Sequence, residues 1–122
     1  MKALFFVFIG GGSGSILRYL IGKYFENSSY EHFPIGTFIA NATGSLLIGL
    51  LTGLFIKNNF VSNHLSLLLI TGFCGGFTTF STFALENHLL LRDGHLLSFA
   101  LYTLLSILVA VAFVFIGMWV TK

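Results

Sequence analysis

The sequence predicts an all-α membrane protein: a single domain over residues 1–122 with four spanning helices, the third broken part-way along. Composition is the first reason, because only 8% of residues are charged and 56% are hydrophobic. A soluble domain carries about 25% charged residues. The second reason is that four apolar stretches, 3–23, 34–56, 65–91 and 96–120, use up nearly the whole chain. Each matches the roughly 20 residues that a helix needs to cross a bilayer. The third is a run of glycine and hydroxyl residues inside the third stretch, where helix-forming residues would be expected.

The first stretch follows Lys2 as a secretory leader would, but its glycine-rich middle and Arg18 read as a retained helix. The second opens on Pro34, which suits a first helical turn because the missing N–H is not needed there. Connection 57–64 contains the breakers Asn58, Asn59 and Asn63, and Arg92-Asp93-Gly94-His95 is a tight turn. Short connections predict that sequence neighbours pack as antiparallel neighbours. An even helix count places both termini on one side with Lys2, Lys57 and Lys122, against Lys23 and Arg92, plus Arg18 if it reaches the interface. Orientation follows the Lys/Arg excess of cytoplasmic loops. This near-balance permits insertion both ways up, while a small bias fixing one topology is equally compatible with it.

Several function classes drop out. A net charge of +2, scattered along the chain, gives no basic run for nucleic acid. Cys74 is the sole cysteine, so no intrachain disulfide can form, and it reads as a small packing residue. His32, His64, His88 and His95 lack zinc-ligand spacing. With no nucleophile–base set and no paired carboxylates, enzyme chemistry is not expected. Asn27-Ser28-Ser29 and Asn41-Ala42-Thr43 match the glycosylation acceptor pattern by chance, the second inside a helix.

The third stretch breaks helix logic. Residues 71–83 hold Gly72, Gly75 and Gly76, Thr71, Thr78, Thr79 and Thr82, and Ser81. Each glycine costs about 1 kcal/mol relative to alanine in a helix, and β-branched or hydroxyl residues add to it. A break around residues 75–79 is the favoured outcome, the alternative being a glycine seam for close helix packing with the hydroxyls bonded to their own backbone. Broken backbone inside a membrane must be buried in protein or line a wet cavity, where freed carbonyls bind cations and freed N–H groups bind anions. Phe77, Phe80 and Phe83 recur every three residues, and their ring edges are electropositive.

Asn41 lies well inside the second helix, with Thr37 and Gly44 on the same face. Its amide suits either donation to an anion or a hydrogen bond gluing two helices. Arg18 reads either as a snorkelling side chain or as a vestibule charge gathering anions. Glu86, beside Asn87 and His88, reads as interfacial. Gly10 with Gly14, and Gly49 with Gly53, are small-residue pairs that suit close packing in a tight oligomer.

Three blocks resemble the Fluc/CrcB fluoride channels. They are Gly10-Gly11-Gly12-Ser13-Gly14 with Arg18-Tyr19; then Pro34, Gly36-Thr37, Asn41, Gly44-Ser45 and Gly49; then residues 71–83 with Glu86. Ser15 stands where the family usually has alanine. The resemblance implies an antiparallel, dual-topology homodimer in the bacterial inner membrane that exports fluoride by passive electrodiffusion. It further implies fluoride contacts from Asn41, Phe80 and Phe83, with hydroxyl donors from Ser81, Thr82, Tyr102 and Ser106. By the same resemblance a structural Na⁺ is held by the main-chain carbonyls of Gly75 and Thr78. The residues are compatible with an anion path, since they offer N–H, O–H and ring-edge donors without a fixed cation to trap the ion. A proton-coupled drug exporter would need a carboxylate mid-helix, usually in the first span, which has none. The glycine- and threonine-rich segment also permits a carbonyl-lined cation channel, although acidic rings are missing. A structural subunit without transport is the third rival.

Overall fold

The computed structural model describes residues 1–27, 32–59 and 62–122. Ser28 and Ser29 of the first acceptor-like triplet lie outside the described residues. The first helix runs Lys2–Tyr24, the second Ile35–Lys57 and the fourth Leu96–Val120. The third span covers Asn63–Arg92 in two halves. Among the described residues these are the four spans long and apolar enough to cross a membrane.

The first half of the third span is wound unevenly. A short α-helical start, Asn63–Ser66, widens into a π-helical stretch, Leu67–Cys74, then tightens to an α-helical end at Gly75–Phe77. A π-helical stretch of this length is unusual, since most are single-turn bulges. Thr78 then turns extended (φ −91°, ψ 156°), and helix resumes over Ser81–Arg92. The break therefore falls at 78–80. Gly75 and Gly76, expected inside it, remain helical.

Packing pairs the first helix with the third span and the second with the fourth, rather than sequence neighbours. Glycine decides this. A Cβ at Gly10 would strike the Leu68 carbonyl and sit 2.9 Å from Phe73 N, and one at Gly14 would strike the Phe73 carbonyl. Across the other seam, a Cβ at Gly117 would lie 2.7 Å from both Leu46 O and Leu50 N, and one at Gly49 2.5 Å from Val114 O. Gly10, Gly14 and Gly49 thus serve close backbone approach within one chain, and Gly53 admits the Thr121 side chain.

Gly94 ends the third span. Its φ of 80° is the left-handed conformation that glycine adopts freely. Gly94 N donates to Leu91 O at 3.2 Å and His95 N to Leu90 O at 2.9 Å, the paired bonds of a Schellman stop.

Candidate functional site

The break is built by a residue 38 positions away. Asn41 Nδ2 donates to Thr79 O at 3.0 Å, and Thr79 N donates to Asn41 Oδ1 at 2.8 Å. One side-chain amide thus stands in for the helical partners of both backbone groups of one residue, as buried backbone requires. Of the two roles open to Asn41, gluing is the one seen. An amide nitrogen carries two hydrogens, so one donor is left over.

Other partners take up the remaining ends. Thr78 N and Thr78 Oγ1 both donate to Cys74 O, at 3.0 and 2.9 Å. Ser15 Oγ at 3.4 Å and Arg18 Nε at 3.2 Å donate to Gly76 O. Arg18 thereby places its charge by the C-terminal end of the first half, where the helix dipole favours a cation. Thr79 Oγ1 accepts from Thr82 N at 3.1 Å, serving the first turn of the second half. It also lies 3.4 Å from Ser81 Oγ. Because Thr78 N and Thr79 N are committed to Cys74 O and Asn41 Oδ1, neither reaches the Gly75 carbonyl.

An open cavity of about 600 Å³ lies against the break, lined by Asn41, Ser45, Thr71, Gly75, Thr78, Thr79, Phe80, Phe83 and Ser106, with aliphatic walls from Ile48, Ile70, Ile107 and Val111. Gly44 admits the break at this wall, because a Cβ there would strike Thr78 Cγ2. Ser106 Oγ is buried and has no hydrogen-bond partner among the described residues. A buried hydroxyl left unbonded costs free energy, so it is a donor in want of an acceptor.

The phenylalanines do not form one stripe. The break separates Phe77, buried and stacked on Phe73 at 5.7 Å, from the other two. Phe80 is 79% exposed, whereas Phe83 is 9% exposed and tilts against Tyr102 at 5.1 Å. Phe33 meets Tyr102 edge-on at 5.3 Å. Tyr102 is fully buried, and its hydroxyl donates to Glu86 Oε1 at 2.7 Å. Thr37 Oγ1 donates to Glu86 Oε2 at 2.9 Å. Glu86 therefore does not project as an interfacial carboxylate: two hydroxyls from two other helices hold it.

The structure brings Asn41, Gly75, Thr78, Phe80, Phe83 and Ser106 to one cavity wall. Outside that lining, Ser81 Oγ and Thr82 N meet Thr79 Oγ1, Tyr102 packs on Phe83 with its hydroxyl on Glu86, and Arg18 Nε donates to Gly76 O. Sequence reasoning missed the central parts played by Thr79 and Glu86. The shared face of Thr37, Asn41 and Gly44 was the signal, since these contact Glu86, Thr79 and Thr78 in turn.

Four apolar spans, one of them broken and braced by side-chain polar groups beside an open cavity, define a multi-pass membrane protein of the channel or transporter type. Within that class the chain belongs to the CrcB-like family: the family model described as "CrcB-like protein, Camphor Resistance (CrcB)" matches residues 5–118. It is 41% identical over 122 residues to a protein of Azobacteroides pseudotrichonymphae named "Fluoride-specific ion channel FluC", covering 100% of this chain and 98% of that one. Proteins of the same name from Flavobacterium psychrophilum and Gloeothece citriformis are 44% and 45% identical, each covering 100% of this chain and 98% of their own. These relatives are named as channels, not enzymes.

Proposed function

We propose that this chain is a fluoride channel subunit of the bacterial inner membrane, exporting fluoride passively as an antiparallel, dual-topology homodimer. The observation that carries it is the braced break of the third span, which sets donors on a cavity wall, in a chain similar along its whole length to proteins named as fluoride-specific channels. Fluoride is small and strongly hydrated, so a path must replace its water with closely spaced donors. Phe80 and Phe83 offer ring edges, the spare N–H of Asn41 and the Ser106 hydroxyl offer polar hydrogens, and Ser81 and Thr82 extend the set. Tyr102 holds the Phe83 ring in place and lends its hydroxyl to Glu86. Arg18 raises the local anion concentration at one mouth.

A second, inverted copy fits the exposed side of the cavity. Phe80, Thr71, Gly75, Ile107 and Val111 stand exposed around it. Such a partner would bring the two breaks face to face.

The main-chain oxygens at the break fit the Na⁺ that the family implies. The Gly75 carbonyl is passed over by both neighbouring amides, Thr78 has left helical geometry, and hard oxygen donors suit an alkali cation. Gly75 and Thr78 of each copy would hold it, and its charge would clamp the facing breaks together.

The test is efflux from liposomes carrying purified protein. Fluoride should leave once a potassium ionophore relieves charge build-up, and chloride should stay. Phe80→Ile and Phe83→Ile should cut flux without loss of the folded protein. Efflux that required a pH gradient would refute passive conduction, and wild-type flux in both variants would remove these rings from the path.

A further inference from the structure

We propose that Ser15 and Arg18 form a shared cap on the Gly76 carbonyl, each able to hold it without the other, which makes Ser15 a positioning residue for the ion path. Ser15 Oγ lies 3.4 Å and Arg18 Nε 3.2 Å from Gly76 O, both as donors. A carbonyl oxygen carries two lone pairs, so it can accept from both at once.

The break makes this carbonyl an orphan. Its helical partner would be Phe80 N, but Thr78 turns extended between them (φ −91°, ψ 156°). Thr78 N and Thr79 N are committed elsewhere, to Cys74 O and Asn41 Oδ1. The carbonyl must therefore be served from another element, and the first helix is the one in reach. Gly11, Gly14, Ser15 and Arg18 recur at helical spacing and share one face. A Cβ at Gly76 would strike the Gly11 carbonyl, and one at Gly14 would lie 2.8 Å from Phe77 N. That close approach brings the Ser15 hydroxyl, on its short stem, to the carbonyl.

Ser15 and Arg18 are both partly buried. Among the described residues the one ion pair is Arg92 with Asp93, so no carboxylate answers the Arg18 charge. A cation within a span pairs with backbone carbonyls when it lacks an acid, and the negative end of the first half adds to the attraction. One guanidinium N–H goes to Gly76 O, and the Nη groups are left for anions at the mouth. When the guanidinium swings towards a passing anion it gives up Gly76 O, and the Ser15 hydroxyl keeps that oxygen bonded. Position matters here because Gly75 and Thr78, close on either side in sequence, line the cavity. Successive carbonyls point about 100° apart around a helix, so fixing Gly76 O on the first helix keeps the Gly75 carbonyl turned away from it.

Two donors on one acceptor give effects that do not add, because the carbonyl is left bare only when both are gone. Full-length protein carrying Ser15→Ala, Arg18→Met or both is unfolded reversibly in detergent micelles. The double variant should lose at least about fivefold more of its folded-to-unfolded ratio than the product of the two single losses, the lower end of the cost of an unpaired buried group. A double variant that fails to fold while both singles fold shows the same excess. Ser15→Ala with Arg18→Lys returns a donor to the site and should fold and recover most of the loss. Flux from liposomes over a range of fluoride concentrations separates position from charge, and this measurement alone rests on the fluoride-channel reading. Arg18→Met alone should raise the concentration for half-maximal flux, whereas the double variant should also lower the maximum. Wild-type protein that passed no fluoride would sink the channel reading and leave the unfolding measurement to decide the cap. Additive single losses, a lysine variant no more stable than the Ser15→Ala/Arg18→Met protein, or an unchanged maximum in the folded double variant would each overturn the shared cap.

Discussion

Replacing Asn41 by leucine keeps its bulk and removes both arms of the Asn41–Thr79 pair, bonds of 3.0 and 2.8 Å. Thr79 N–H and C=O are then left without partners at a point where no helical partner exists. Each unsatisfied backbone group costs about 1–3 kcal/mol. Thr79 is half-buried beside an open cavity, so the lower part of that range applies. Two groups then give about 2–3 kcal/mol, a roughly 30- to 150-fold fall in the ratio of folded to unfolded protein. The variant should show a lower midpoint in reversible denaturant unfolding of micelle-held protein, and fluoride efflux should fall with it. Asn41→Asp, when ionised, should behave worse, because it turns a second acceptor towards the Thr79 carbonyl. An Asn41→Leu protein with a wild-type midpoint would refute the claim that this pair holds the break.

Gly14→Ala should destabilise by at least about 1–3 kcal/mol, the usual cost of overpacking, because its Cβ would strike the Phe73 carbonyl. Gly12→Ala, with nothing within 4 Å, should unfold as wild type does; equal midpoints for the two would undo the seam. Tyr102→Phe removes the 2.7 Å bond to Glu86 and should cost about 1–3 kcal/mol, the penalty for leaving a partly buried polar group without its partner, read from the same unfolding curves. Two lysines in place of Asn58 and Asn59 should bias insertion one way and abolish flux, and co-expression with an oppositely biased chain should restore it. Uniform insertion with normal flux would rule out the antiparallel pair.

Much of the architecture was legible because lipid imposes simple rules. A helix must be apolar over its crossing length, so the four spans stand out from composition alone. The charged residues Lys23, Lys57 and Arg92 in the last turns of the first three spans follow from the same rule. The third span's weakness was visible too, since glycine, threonine and serine cluster there. What could not be read was where the helix would part. Local propensity pointed to residues 75–79, and within that range the chain parts at Thr78 and not at the glycines, because Asn41 supplies the hydrogen bonds that let a break form there. The glycines stay helical since Gly76 packs against Gly11, a contact no side chain would permit.

Periodicity likewise put Thr37, Asn41 and Gly44 on one face of the second helix, but it is silent on which element that face meets. Partners are chosen by shape across long sequence separations. Glycine seams bring the first helix to the third span and the second to the fourth, and that pairing gives Glu86 its two hydroxyls and sets His32 on His95. The sequence by itself determined which segments cross and which residues share a face, because those depend on solvent and helical pitch. Only the tertiary structure decided where the third span opens and what each polar group bonds, because those depend on backbone approach between segments far apart in the chain.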